Sequence, residues 1–300
     1  MTRVTEALDA VIGTELATWP GRAAAGVVAL SPAGDAEVVA ALGPIDEPFH
    51  WASVTKLLVS MASLVALEEG TVSLEDPVGP AGSSLAHVLS HASGLPFEGR
   101  TPIAPPATRR VYSNTGIELA ASHLEKAAEM PFGDYLSAGV LEPLGMGGTV
   151  LKGSPAHGAK GPVADLLALA AEWSAPSLVS AETLEAATSV AWPGLAGVVP
   201  GFGRQRPCDW GLGPEIRSQK HPHWTGRANS PQTFGHFGQS GSFLWVDPVA
   251  HIAVAASSST PFGPWAKEAW PTFSDAVLAA CRRPSAAPVE GPDRPDRPEK

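Results

Sequence analysis

The chain of 300 residues has 20 Lys and Arg against 30 Asp and Glu, a formal net charge of −10, with 44% hydrophobic and 17% charged residues. That length and apolar content support a full core in one large domain or two lobes, and they exclude a collagen-like or low-complexity chain despite 31 Gly and 30 Pro. No run of Lys or Arg can neutralise a phosphate backbone, so no nucleic-acid partner is expected.

The first twenty residues carry Glu6, Asp9 and Glu15 and lack the uninterrupted apolar stretch of an export signal. The longest apolar segment, 57–67, is broken by Ser60 and Ser63 and falls far short of the ~20 residues needed to cross a bilayer. Cys208 and Cys281 are the only cysteines and form no pairing framework. Together these predict a cytoplasmic protein with no membrane partner; nothing in the sequence speaks to oligomeric state.

In chain order, 23–30 and 37–42 are short Val/Ala/Leu runs separated by the turn-forming cluster 31–35, which predicts a hairpin. From 54 to 69 apolar residues recur at 54, 57, 58, 61, 64 and 65, the spacing of a helix face, and Gly70 stands where a helix stops. The stretch after it mixes helix-like segments (85–90, 116–129, 163–173 and 181–190) with Pro/Gly loops and few β-branched runs. Beyond about 205, the segments 232–238, 241–246 and 251–257 read as strands, with Asp247-Pro248 turning between the last two. A helical pattern covers 265–283, and 285–300 is a Pro-rich, charged tail expected to be disordered. The expected fold is α+β: an antiparallel sheet formed from both chain ends, flanked by helices, with an inserted mainly helical lobe. The expected boundaries are a folded unit over 1–284, with the sheet lobe at about 1–70 and 205–284 and the helical lobe at about 71–204.

Three clusters carry chemistry. Ser53-Val54-Thr55-Lys56 opens the clearest helix, where residues three apart share a face, so hydroxyl and amine can meet. A helix N-terminus offers free N–H groups to a developing oxyanion and opposes protonation of a nearby Lys. For Lys56 to act as a base near neutrality, its pKa must fall by about 3 units, roughly 4 kcal/mol, which desolvation can supply. The alternative is that Ser53 is only a cap and that 53, 56, 60 and 63 form a solvated polar stripe. With 26 Ser and 7 Lys, chance yields about 0.6 such spacings, so this motif needs support.

Tyr112-Ser113-Asn114 gives that support. The chain has two Tyr and two Asn, and chance would give about 0.013 occurrences of the spacing. A phenol beside a neutral Lys can relay protons, and an amide two residues on can hold a substrate carbonyl. His236-Phe237-Gly238 closes a predicted strand, where His236 would donate to a substrate and Gly238 would let its backbone lie close.

Other constellations are weaker. His87 and His91 have the i, i+4 spacing of a metal helix, but Val88 stands where a zinc protease needs Glu. His221 and His223 read as a solvated pair in a loop with no third ligand. A Gly-x-Ser-x-Gly elbow fails at Ser242, and no Walker loop is present. No metal or cofactor is implied. Trp210, Trp224 and Trp245 flank the third cluster and are candidates for pocket walls or for ordinary core.

In that order, the three clusters resemble the active-site motifs of the serine β-lactamase and penicillin-binding-protein superfamily, closest to its class C-like and esterase branch. Leu89-Ser90-His91-Ala92-Ser93-Gly94-Leu95-Pro96, Trp210-Gly211-Leu212-Gly213 and the stretch 234–248 are similar to it as well. The resemblance implies Ser53 as acylated nucleophile, Lys56 as its base, Tyr112 as proton relay and Asn114 as a carbonyl ligand. It also implies an oxyanion hole from the N–H groups of Ser53 and Gln239. The superfamily's lactamases and peptidases begin the third motif with Lys; His236 stands there in this chain, as in esterase-like members. The implied activity is hydrolysis of a small ester or amide. β-Lactamase or D-amino-acid peptidase activity, acyl transfer to a small hydroxyl, and slow-turnover penicillin sensing are the alternatives the same residues support.

Overall fold

The computed structural model describes residues 2–31 and 34–281. The chain opens with α1 (Thr2–Leu16), β1 (Ala23–Leu30), β2 (Ala36–Leu42), β3 (Phe49–His50) and α2 (Thr55–Glu68). It continues through α3 (Leu85–Leu89), α4 (Asn114–Ala127), α5 (Phe132–Leu136), β4 (Val150–Leu151), β5 (Ala159–Gly161), α6 (Val163–Glu172) and α7 (Ala181–Thr188). The closing elements are β6 (Gly197–Val199), β7 (Gly203–Gln205), β8 (Glu215–Ile216), β9 (Phe234–Gly238), β10 (Ser242–Asp247), β11 (Ile252–Ser258) and α8 (Pro264–Cys281).

The main sheet has the order β2-β1-β11-β10-β9-β8 and is antiparallel throughout. Strands from the two chain ends are therefore neighbours, with Ala25 opposite Ala256, as the α+β expectation requires. Both faces are covered, and successive side chains alternate between two cores. On β10, Leu244 and Val246 join the core containing α2 and α6, whereas Phe243 and Trp245 join the core under α1 and α8. The same alternation runs along β9: Phe234 faces the α2 side and Phe237 the α8 side. His236 and Gly238, two and four residues from Phe234, consequently share the face turned toward α2.

Three features depart from expectation. The first twenty residues, read in sequence only for an export signal, include α1 (Thr2–Leu16), whose Val4, Leu8, Val11, Ile12 and Leu16 recur at helical spacing. Leu8 and Ile12 are fully buried. The predicted helical stretch also contains β4 and β5, which join β3 in a three-stranded sheet, and the hairpin β6-β7, elements of two or three residues that are too short to show alternation. Finally, α4 starts at Asn114 because Ser113, in an extended conformation, caps it by accepting the Gly116 N–H at 3.0 Å.

The helix α2 is buried from Thr55 to Ala66. Its polar residues are satisfied internally: Ser63 donates to the Val59 carbonyl at 2.8 Å, and Ser60 to the Leu212 carbonyl. This excludes the solvated-stripe alternative. No helix among the described residues is long and apolar enough to cross a membrane. The tail expected over 285–300 lies outside the described residues.

Candidate active site

Ser53 sits where the chain leaves β3 and turns into α2, in a short 3-10 turn over Ala52–Val54. Ala52 adopts φ of +45°, a conformation that a non-glycine residue holds at a cost of about 1–3 kcal/mol and only when its surroundings enforce it. The surroundings are visible. Trp51 donates its backbone N–H to Ala159 at 3.0 Å and its indole N–H to Gly161 at 3.0 Å. Thr55 Oγ1 donates to the Ala52 carbonyl at 2.6 Å and accepts from the Ala159 N–H at 3.1 Å.

In the first turn of α2, Lys56 is fully buried. Its Nζ lies 3.1 Å from Ser53 Oγ, 2.8 Å from Asn114 Oδ1 and 2.8 Å from the Ala156 carbonyl. None of these partners is a carboxylate. Desolvation lowers its pKa from 10.5 to about 7, with Glu118 opposing at longer range. The shift is worth roughly 5 kcal/mol. A neutral amine has two hydrogens and one lone pair. The two carbonyl oxygens can only accept, so they take the hydrogens, and the lone pair is left for the Ser53 hydroxyl.

Tyr112 closes the group, its ring centroid 4.9 Å from Lys56 Nζ. Burial raises its phenol well above the usual range, opposed by a hydrogen bond with Ser53. His236 Nε2 stands 3.4 Å from the Tyr112 hydroxyl, while His236 Nδ1 bonds the Phe237 carbonyl at 2.7 Å. A carbonyl can only accept, so Nδ1 carries the hydrogen and Nε2 presents a lone pair to the phenol. Burial, followed by Lys56, depresses the His236 pKa to about 3. His236 thus faces Tyr112 as a neutral acceptor rather than acting as the substrate donor expected from sequence, because its partner across the cleft is a phenol.

The remaining sequence-predicted residues divide. Asn114 commits its amide oxygen to Lys56. Gly238 contacts protein rather than open space: a Cβ there would meet the Trp51 carbonyl at 2.2 Å and Ser242 Oγ at 2.5 Å. The close approach that this glycine permits is that of the loop carrying Ser53 against β9. Gln239 follows Gly238, the last residue of β9 paired with β10, and borders the same cavity as Ser53.

That cavity holds about 190 Å³ and is walled by Phe97, Tyr112, Val199, Trp210 and Phe237 beside Ser53. Of the three candidate tryptophans only Trp210 lines it; Trp224 and Trp245 are buried in the core under α8. Glu215, which no sequence motif marks, also reaches the cavity. It is buried and bonded to Lys220 Nζ at 3.2 Å, His223 Nε2 at 3.3 Å and Trp224 Nε1 at 2.7 Å, and these partners hold its carboxyl well below the usual range against desolvation. His223 is therefore buried structure and not half of a solvated pair. His91 is buried too, accepting the Ser113 N–H at 3.2 Å and packing its ring 4.5 Å from that of Tyr112. Among the described residues no cluster of metal-ligating side chains occurs.

A family model described as Beta-lactamase matches residues 9–278. The chain belongs to the β-lactamase family. A crystal structure of a β-lactamase from Mycobacterium bovis superposes with a TM-score of 0.87 at 48% identity, covering 90% of this chain and 99% of that one. A mutant simvastatin synthase from Aspergillus terreus shares the fold, with a TM-score of 0.72 at 16% identity over 93% of this chain and 95% of that chain. Among curated proteins, the D-alanyl-D-alanine-carboxypeptidase/endopeptidase AmpH of Escherichia coli strain K12 is 27% identical across 37% of this chain. That match spans 38% of AmpH's own length. Membership gives this β-lactamase-family chain the fold of a serine hydrolase.

Proposed function

We propose that the protein hydrolyses a small ester or amide through an acyl-Ser53 intermediate. The observation that carries this reading is the Lys56 amine 3.1 Å from Ser53 Oγ, buried among neutral acceptors and poised near pKa 7. Lys56 takes the Ser53 proton as Oγ attacks the carbonyl carbon. The N–H groups of Ser53 and Gln239 receive the developing oxyanion, where loss of one donor typically costs about 3–4 kcal/mol. Tyr112, kept protonated by its raised pKa, donates to the leaving heteroatom as its bond to carbon breaks, and recovers a proton from Lys56. Water then repeats the sequence against the acyl-enzyme. The raised phenol pKa and the lowered amine pKa favour Lys56 over Tyr112 as the base.

An anionic acyl group is disfavoured because no lysine or arginine lines the cavity, His236 is neutral and the Glu215 carboxylate borders it. A second reading, β-lactam hydrolysis, is favoured by the 48% identity to a protein titled a β-lactamase. Mass spectrometry after exposure to an activated acetyl ester, a phosphonate and a penicillin tests both. The expected result is an adduct on Ser53 with the ester and the phosphonate, absent in Ser53→Ala; no adduct on Ser53 with any of the three overturns the proposal. Sustained turnover of the penicillin, faster than that of the ester, would select the second reading.

A further inference from the structure

Beside the cavity runs an open groove of about 470 Å³ that shares Phe97, Tyr112 and Pro200 with it. It lies between the segment 97–111 and the hairpin β6-β7. Three of the seven exposed large hydrophobic side chains among the described residues, Phe97, Ile103 and Val198, line this groove. Arg109 and Arg204 line it as well, both exposed, and no carboxylate does. Neither arginine is in an ion pair among the described residues, although the chain carries a net charge of −10. Val198 and Arg204 are cross-strand partners, which places an apolar and a cationic side chain next to each other.

The groove is preformed. Arg110 donates its backbone N–H to the Ala196 carbonyl at 2.9 Å. Gly197 lies so close that a Cβ would meet Arg110 Cβ at 2.6 Å. The Arg110 guanidinium is spent on the carbonyls of Ser90, Ala191 and Cys208, whereas Arg109 makes one long bond, to the Ile103 carbonyl at 3.5 Å, so Arg109 and Arg204 are the cations exposed to a ligand.

Resting on the acyl-Ser53 reading, we propose that this groove seats the leaving group of the substrate: an alcohol with an apolar stem that ends in an oxyanion, held by Arg109 and Arg204. The acyl group then occupies the cavity beside Ser53. In the chemical step the bond from acyl carbon to alcohol oxygen breaks, Tyr112 protonates that oxygen, and the oxyanion keeps its charge throughout. Guanidinium groups suit carboxylate or phosphate because the forked donors of each match two oxygens.

The test compares kcat/KM for two acetyl esters of one shape, para-acetoxybenzoate with an anionic leaving group and para-acetoxybenzamide with a neutral one. The ratio of the two cancels any general loss of activity. In the Arg109→Gln/Arg204→Gln variant the ratio is expected to fall about fivefold or more, and in the unaltered protein it is expected to shrink as ionic strength rises from about 0.05 to 0.5 M. A ratio within twofold of the parent in the variant, together with no salt dependence, overturns the groove assignment. Acylation of Ser53 by the neutral ester is the control: if it persists while the ratio stays put, only the groove assignment fails, and if neither ester acylates Ser53, the acyl-Ser53 reading falls with it.

Discussion

Two lysines among the described residues are fully enclosed, and their surroundings differ in one respect. Lys220 donates to the carbonyls of Asp209 and Ile216 and pairs with Glu215 at 3.2 Å. Lys56 has the same number of close partners, but all are neutral. With Lys220 as a close partner, Glu215 is held ionised, and the pair ties the segment 209–224 together. Without a carboxylate beside Lys56, the cost of desolvating an ammonium falls on the amine alone and its pKa drops to about 7. The lesson is that burial by itself makes neither a structural nor a reactive lysine; the presence or absence of a carboxylate decides which.

Replacing each lysine breaks the comparison in opposite ways. Lys56→Met is expected to slow Ser53 acylation by about 10³-fold or more, roughly 4 kcal/mol, as measured by single-turnover kinetics with an activated ester. Its unfolding free energy should stay near that of the parent, because removing a desolvated amine offsets the acceptors left at Asn114 and Ala156. Lys220→Met should show the reverse emphasis, a loss of roughly 3–5 kcal/mol in urea unfolding, since Glu215 becomes an uncompensated buried charge. The smallest effect sharpens how the reactive lysine is presented. Gly238→Ala drives a methyl into the Trp51 carbonyl, and should cost roughly 1–3 kcal/mol of stability together with some acylation rate, read in the same two assays.

Much of the sheet is legible in sequence because its central strands are buried on both faces and read as continuous runs such as Val27-Val28 and Phe243-Leu244-Trp245-Val246. The hairpin β6-β7 is not, since strands of three residues carry no period. Among site residues, Ser53, Lys56, Tyr112 and Asn114 stand out by spacing, and the rarity of Tyr and Asn makes the second pair informative. Glu215 could not be found that way: its partners Lys220, His223 and Trp224 are local in sequence, but its approach to the cavity depends on how β8 lies against β9. Gly238 is visible as a residue, yet its neighbour, Trp51, is a product of tertiary packing. The orientation of His236 follows from a hydrogen bond to the adjacent Phe237 carbonyl that no pattern encodes.

The most direct measurement is the pH dependence of Ser53 acylation by an uncharged activated ester. Only the neutral form of Lys56 can take the proton. Because its folded pKa is lowered to about 7 from 10.5, the rate should climb with pH through about 7 and level off above about 8. A rate independent of pH between 5 and 9, or one that continues to climb toward 10, would contradict the assignment of Lys56 as the base.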